Sequence, residues 1–219
     1  MIAGFALEIA DTPASVAKYI IAAELRDDCY GLNRIDFKPG DVVIDIGAHI
    51  GLFAIYTALR FPQVQIHSFE PFPDNYELLQ RNLERNGITT VHTYPQGVTS
   101  DGRFLEMVTN PQNSGSANCY SGTLKEYGLT TGIPSTTLDH IFTSLGVDKC
   151  KLLKIDCEGS EYEILFTTRS LAKVEYLSGE FHQNEWFLSQ GYTYEGLLKH
   201  CEDQIGPDRL SVHRCYIGE

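Results

Sequence analysis

The strongest constraint on this chain is an alternation of hydrophobic periods in its first hundred residues. After the turn Pro39-Gly40-Asp41 comes Val42-Val43-Ile44, a β-branched run with no polar alternation. That is how a strand buried on both faces of a parallel sheet reads. Leu52, Ile55, Tyr56 and Leu59 then recur at helical spacing, and a second strand runs from Val64 to Phe69. A second helix follows, with Asp74 and Glu77 as its N-terminal box, Leu79 and Leu83 facing inward and Gly87 at its end. A third strand, Thr90 to Tyr94, completes β-α-β-α-β. Such alternation predicts a doubly wound α/β fold, a mostly parallel sheet with helices on both faces.

Beyond this unit, strands are expected at Leu152 to Ile155, Val174 to Glu180 and Leu210 to Tyr216, and helices at Leu138 to Leu145, Glu161 to Phe166 and Thr193 to Cys201. Ahead of it, Thr12 to Gly31 reads as a helix with Thr12 capping, Pro13 in the first turn and Gly31 at the exit. Val16, Tyr19, Ile20 and Ala23 lie on one face, which is expected to pack on the main body. Between Asn110 and Pro134 the chain is rich in Ser, Gly, Asn and Thr with little periodicity. It reads either as a functional loop or as a surface excursion with short edge strands. At 219 residues the chain suits one domain over 1–219, with 1–36 as an N-terminal helical extension.

Charge and composition exclude several partners. Seventeen basic residues against 29 acidic give −12, a field that repels phosphate backbones. The densest basic stretch, around Arg81 and Arg85, is interleaved with Glu77 and Glu84, so no nucleic-acid surface is expected. No apolar run approaches the ~20 residues of a membrane span, and Met1 to Glu8 lacks the basic start of a secretory leader. The six cysteines form no C-x-x-C pair and match no zinc spacing, which suits free thiols in a reducing cytoplasm. No sequence feature specifies an oligomeric state.

The first strand passes into Asp45-Ile46-Gly47-Ala48-His49-Ile50-Gly51, in the crevice where doubly wound sheets bind ligands. Glycines there let the backbone approach a ligand; the competing reading is a turn needed only for tight strand–helix packing. Glu70, at the end of the second strand, follows Gly51 by nineteen residues, where a carboxylate can accept from both hydroxyls of a ribose. A dinucleotide fingerprint requires G-x-G-x-x-G, but its middle glycine is His49 here. The pattern suits a ribose-bearing ligand without a pyrophosphate, such as S-adenosylmethionine, with Asp45 orienting its cationic amino-acid end.

Residues 39–51, Ser68-Phe69-Glu70-Pro71 and Leu152-Leu153-Lys154-Ile155-Asp156-Cys157-Glu158-Gly159-Ser160-Glu161 together resemble the motifs of the FkbM family of methyltransferases. Gly97-Val98-Thr99-Ser100-Asp101 and Thr137-Leu138-Asp139 fall in the expected order. The resemblance runs from about Phe37 to the C-terminus; His49 departs from the family's usual Asn. It implies a class I methyltransferase fold, a seven-stranded sheet with an antiparallel last strand. It also implies S-adenosylmethionine-dependent O-methylation of a small-molecule hydroxyl, on a sugar or a secondary metabolite of natural product biosynthesis. The implied cofactor set is Asp45, Gly47, Ala48, His49, Gly51, Glu70, Pro71, Gly97, Val98 and Asp156.

Methyl transfer to a hydroxyl needs in-line alignment and a group to take the proton. Asp156 and Glu158 follow the fourth strand; Glu180 and His182 end the fifth. His182 is the candidate base, because its ordinary pKa lies near working pH, and Asp156 and Glu180 complete the catalytic set. Glu158 is read as capping the next helix, and Glu163 as solvated. Asp156, Glu180 and His182 could also converge on a divalent cation, although no spacing demands one. Asn113, Ser114, Ser116, Asn118 and Tyr120 could bond a polyol, and Trp186 with Phe187 either wall an acceptor pocket or pack in the core. A nicotinamide-dependent oxidoreductase and a catalytically silent binding module are the competing functions.

Overall fold

The computed structural model describes residues 4–13, 15–110, 113–118 and 128–216, with only the backbone described for 108–118 and 128–130. In chain order the helices are α1 (Ala17–Arg26), α2 (Leu52–Arg60), α3 (Pro73–Arg85), α4 (Leu138–Ser144), α5 (Glu161–Thr167), α6 (Glu185–Ser189) and α7 (Tyr194–Ile205). The strands are β1 (Val42–Ile46), β2 (Gln65–Phe69), β3 (Val91–Tyr94), β4 (Gly97–Val98), β5 (Leu105–Asn110) and β6 (Asn113–Asn118). They continue with β7 (Gly128–Ile133), β8 (Ser135–Thr136), β9 (Cys150–Ile155), β10 (Val174–Gln183) and β11 (Leu210–Tyr216).

The central sheet has the order β11-β10-β9-β1-β2-β3, and every pairing in it is parallel. Side chains alternate between its faces with a period of two. Ile44, Ile46, Leu153 and Ile155 join a core beneath α4, α5 and α7, while Val43, Ile66 and Leu152 pack beneath α1 and α2. Both faces are therefore covered, as the unalternating strand sequences predict. Full burial of each of these side chains is worth about 1.5–3 kcal/mol.

Two details differ from the expected sheet. Among the described residues it has six strands, not seven, and its last strand, β11, is parallel. The reason is the crossover: α7 carries the chain back between β10 and β11, and a helix returning across the sheet delivers a parallel neighbour. The N-terminal helix is also shorter than predicted and turned the other way. Ala17 and Leu25 are buried, whereas Val16, Tyr19 and Ile20 are about half exposed or more. The stretch before it is extended and stitched to α3. Asn82 Oδ1 accepts from Ala10 N at 2.8 Å, and its Nδ2 donates to the carbonyls of Ala10 and Ile50; Asn86 brackets Glu8 in the same way.

The polar stretch 110–134 is not a plain loop. β5, β6 and β7 form an antiparallel sheet in the order β6-β5-β7, while Cys119 and Tyr120 lie outside the described residues. Backbone pairing holds it together, so its sequence shows little alternation. Leu105, Met107 and Ile133 give it a small apolar face. Its base is tied to α5 by Arg103, whose guanidinium makes two 2.7 Å bonds to Glu163; Glu163 also accepts from Ser100 and is not simply solvated. Among the described residues, no helix is long and apolar enough to cross a membrane.

Candidate active site

The sheet order reverses between β1 and β9, the point where open α/β sheets leave a crevice beyond their carboxyl ends. A cavity of about 340 Å³ lies there, within the range of small-molecule sites. Its lining comes from strand ends on both sides of the switch point. Glu70, Pro71, Gly97 and Val98 line it beyond β2 and β3; Gly47 and Asp156 line it at the switch point. Glu158, Glu180 and Cys215 line it toward β10 and β11.

At the switch point the two loops touch through backbone. Gly47 has φ +77°, and a Cβ there would sit 1.8 Å from the Asp156 carbonyl oxygen. Only glycine fits such a conformation and approach. Lys154, 3% exposed on β9, fastens the junction from below. Its Nζ donates to the Gly47 carbonyl at 2.7 Å and lies 3.3 Å from Asp45 and 3.5 Å from Asp156. Burial opposes its charge, but these two carboxylates outweigh burial and hold the ammonium protonated. Lys154 stands in the quoted motif yet received no role from sequence. The available signal was a lone charge inside the apolar run Leu152-Leu153-Lys154-Ile155.

At the β2 end, Glu70 is 4% exposed and both its oxygens are fixed by backbone. Oε2 accepts from His49 N at 2.7 Å and Oε1 from Phe72 N at 2.9 Å. The Asn75 side chain also hydrogen-bonds this carboxylate, and the acceptor capacity left over suits a ligand hydroxyl. Burial pushes its pKa up to about 7, against the pull of those amides. His49 adopts φ +51° and lines the cavity; burial lowers its imidazole to about 4, so it is neutral.

Three residues of the implied cofactor set do not line the cavity. Asp45 is fully buried beneath it and accepts from Ser68 Oγ at 3.1 Å, so it acts through Lys154. Ala48 packs in a core cluster between α2 and α3. Gly51 faces Leu79, whose Cδ1 lies 2.4 Å from where a Cβ would stand; its job is helix packing. Trp186 and Phe187 also lie away from the cavity: Phe187 stacks on Tyr162 in the core, while Trp186 is about half exposed.

Beyond Asp156 the capping part read from sequence for Glu158 falls to Glu161, which was read only as the start of the helix. Glu161 is fully buried and accepts from Cys157 N at 2.8 Å and Gly159 N at 2.9 Å, so it fixes the loop. Glu158, at φ +55°, lines the cavity instead. The signal for this was Gly159, which frees the loop to turn back onto the helix start. His182 sits behind the lining at 4% exposure, with Nδ1 bonded to Glu161 at 3.0 Å. Its Nε2 faces Glu180 at 3.5 Å, Glu158 at 3.7 Å and Asp156 at 3.9 Å. Burial disfavours its charge, but Glu161, then Glu158 and Asp156, raise it to about 10. Glu158 in turn is pushed up to about 8, chiefly by burial, with His182 pulling down.

The triple that sequence offered as an alternative, unfavoured metal site divides in two. Asp156, Glu158 and His182 bring ligand atoms within 4.8 Å of one another, and so do Glu180, His182 and Cys215. Further walls are Ala17, Ile20, Ile21 and Glu24 of α1, a helix that sequence reasoning pointed to without singling out these residues for the site, and Leu105 and Met107 of β5.

A parallel sheet with this order and this switch-point cavity defines a doubly wound, Rossmann-like architecture with its ligand crevice at the carboxyl ends of the strands. A precorrin-6y C5,15-methyltransferase from Geobacter metallireducens superposes with a TM-score of 0.51 at 13% identity, covering 89% of this chain and 77% of that one. The chain matches the methyltransferase FkbM domain family over residues 45–201 and belongs to that family. Two relatives are similar at comparable distance. The 31-O-demethyl-FK506 methyltransferase FkbM of Streptomyces tacrolimicus is 26% identical over 72% of this chain and 70% of its own length. Methyltransferase sdnD of Sordaria araneosa is 27% identical over 68% of each.

Proposed function

We propose that this methyltransferase uses S-adenosylmethionine to methylate a hydroxyl of a small molecule. The reading is carried by one observation: a single cavity continues from Glu70, over the Gly47–Asp156 junction, to Glu158 and Glu180. The residues present fit the donor. Glu70 offers lone pairs to a ribose diol, Gly47 offers bare backbone, and Asp156 meets the cationic amino-acid end. When bound, S-adenosylmethionine supplies a methyl on a positively charged sulfur, open to in-line attack. The name of one relative, built on 31-O-demethyl-FK506, supports oxygen as the acceptor atom.

On the protein's side, Glu158 takes the proton of the acceptor hydroxyl as its oxygen bonds to the methyl carbon and the carbon–sulfur bond breaks. A carboxylate raised to about 8 is well matched to that task near neutral pH. His182 already carries its proton, so it serves as a fixed cation behind Glu158, positioned by Glu161. Isothermal titration tests the donor site: S-adenosylhomocysteine binding at micromolar affinity is expected, and tight NAD binding without it would sink the reading.

A further inference from the structure

α2 runs from the switch point back toward the start of β2, so its last residue, Arg60, lies at the amino ends of the strands. There Arg60 and Arg26, in the last turn of α1, line a second cavity of about 250 Å³ with Phe5, Leu25, Asn33 and Tyr56. It shares no lining residue with the first cavity.

The side chains at this cavity offer hydrogen-bond donors and no carboxylate. Tyr56, 2% exposed, accepts from Arg60 Nη1 at 3.4 Å, and Asn33 Oδ1 accepts from Arg60 Nη2. Those bonds aim the guanidinium. They leave the Tyr56 hydroxyl proton and the Asn33 amide nitrogen without an acceptor among the described residues. The Arg26 side chain has no hydrogen bond or ion pair among the described residues. Asp28, next to this corner, turns both oxygens to the Asn33 backbone amide and does not line the cavity.

Two guanidiniums that share a cavity repel each other unless an anion lies between them. Each also answers the dipole of its own helix, but a helix end offers only about half an elementary charge, which leaves part of the pair unmatched. The remaining wall is apolar: Phe5 packs edge-on against Tyr56 with ring centroids 5.8 Å apart, and Leu25 joins the same core.

We propose that this cavity binds a phosphate monoester, its phosphate on Arg26, Arg60, Asn33 and Tyr56 and its organic group against Phe5 and Leu25. Such a group carries roughly two negative charges at neutral pH and three terminal oxygens, which match two guanidiniums and two neutral donors. A carboxylate brings about half that charge. The phosphate ties α1 to α2, while the other end of α1, from Ala17 to Glu24, walls the first cavity. The site is independent of the reaction performed in that cavity.

The probes are phenyl phosphate, inorganic phosphate and benzoate, each titrated calorimetrically into the purified protein. Phenyl phosphate should bind with a Kd of about 0.1–1 mM, inorganic phosphate several-fold weaker and benzoate about tenfold weaker. Arg26→Gln and Arg60→Gln should each weaken phenyl phosphate by about tenfold, the scale of one charge-assisted hydrogen bond. Arg34→Gln should leave it unchanged; Arg34 lies outside the cavity, donates to the Asp208 carbonyl and controls for overall charge. At ten times Kd, phenyl phosphate should slow amide exchange in α1 by about tenfold, and by only about twofold in Arg26→Gln at the same concentration. That variant breaks no contact, so it keeps the test open if Arg60→Gln fails to fold. Absence of binding, equal loss in Arg34→Gln, or benzoate or inorganic phosphate as tight as the ester would each overturn the proposal. So would undiminished protection in Arg26→Gln, or displacement of phenyl phosphate by S-adenosylhomocysteine, which would place it in the first cavity.

Discussion

At its β2 end the cavity is lined by Glu70, Pro71, Gly97 and Val98, all inside the span 45–201 that matches the family. Of the other lining residues, Ile20, Ile21 and Glu24 of α1 and Cys215 of β11 all fall outside that span. The first half fixes its carboxylate with backbone amides; the second fixes its carboxylates with side chains, Tyr30 and Cys215. Backbone donors persist whatever the side chains are, so the Glu70 end tolerates sequence change. The acceptor half is set by individual residues, and the chemistry of a relative's acceptor does not carry over with the fold.

The sharpest way to break the comparison is at the junction of the halves. Gly47→Ala places a Cβ against the Asp156 backbone at a positive φ, costing about 3 kcal/mol or more. Both halves should fail together, seen as lost S-adenosylhomocysteine binding in calorimetry and a lowered melting temperature. Glu158→Gln should separate them: kcat falls by about 10²–10⁴ while the donor half still binds. In the unaltered protein, kcat should rise with pH through about 8 as Glu158 ionises.

The donor half has its own pH signature. Burial raises Glu70 to about 7, so in the ligand-free protein its contribution to stability is complete below the ordinary carboxylate range. That contribution is lost as pH rises through about 7. Hydroxyl donors favour the ionised carboxylate, so S-adenosylhomocysteine affinity should increase by up to about tenfold from pH 6 to 8. Glu70→Gln should flatten the profile; a persisting slope would assign it elsewhere. Gly51→Ala, crowding Leu79, should cost about 1–3 kcal/mol of stability and leave donor affinity within twofold or so, because Gly51 is outside the cavity. Arg103→Ala should have the smallest effect. Its pair with Glu163 is partly exposed, worth about 1 kcal/mol or less, a shift of a few degrees at most in thermal melting.

The same division explains what could be read from sequence. Val42-Val43-Ile44 and its helical sequel announced the sheet because burial on both faces leaves a run without alternation. Gly47 and Glu70 were legible because their tasks depend on chain geometry at fixed points of that sheet. The acceptor end was not. Glu24 comes to the cavity, with Ile20 one turn before it, because α1 turns Leu25 inward and Tyr19 outward, against the face its periodicity suggested. Glu158 and Glu161 are identical in type and three residues apart, and only the turn at Gly159 decides which one is buried as a brace. Short strands between Asn110 and Pro134 were one of two open readings, and the sequence could not choose because their pairing lies in backbone bonds.

Asn82 and Asn86 have a consequence of another kind. They hold the segment leading to α1 through its carbonyls and amides alone, so the grip is indifferent to which side chains that segment carries. The segment is thus moored twice over, by a backbone clasp on α3 and by Phe5, Leu7 and Ile9 packed against the core, and only the side chains that take part in neither are free to change.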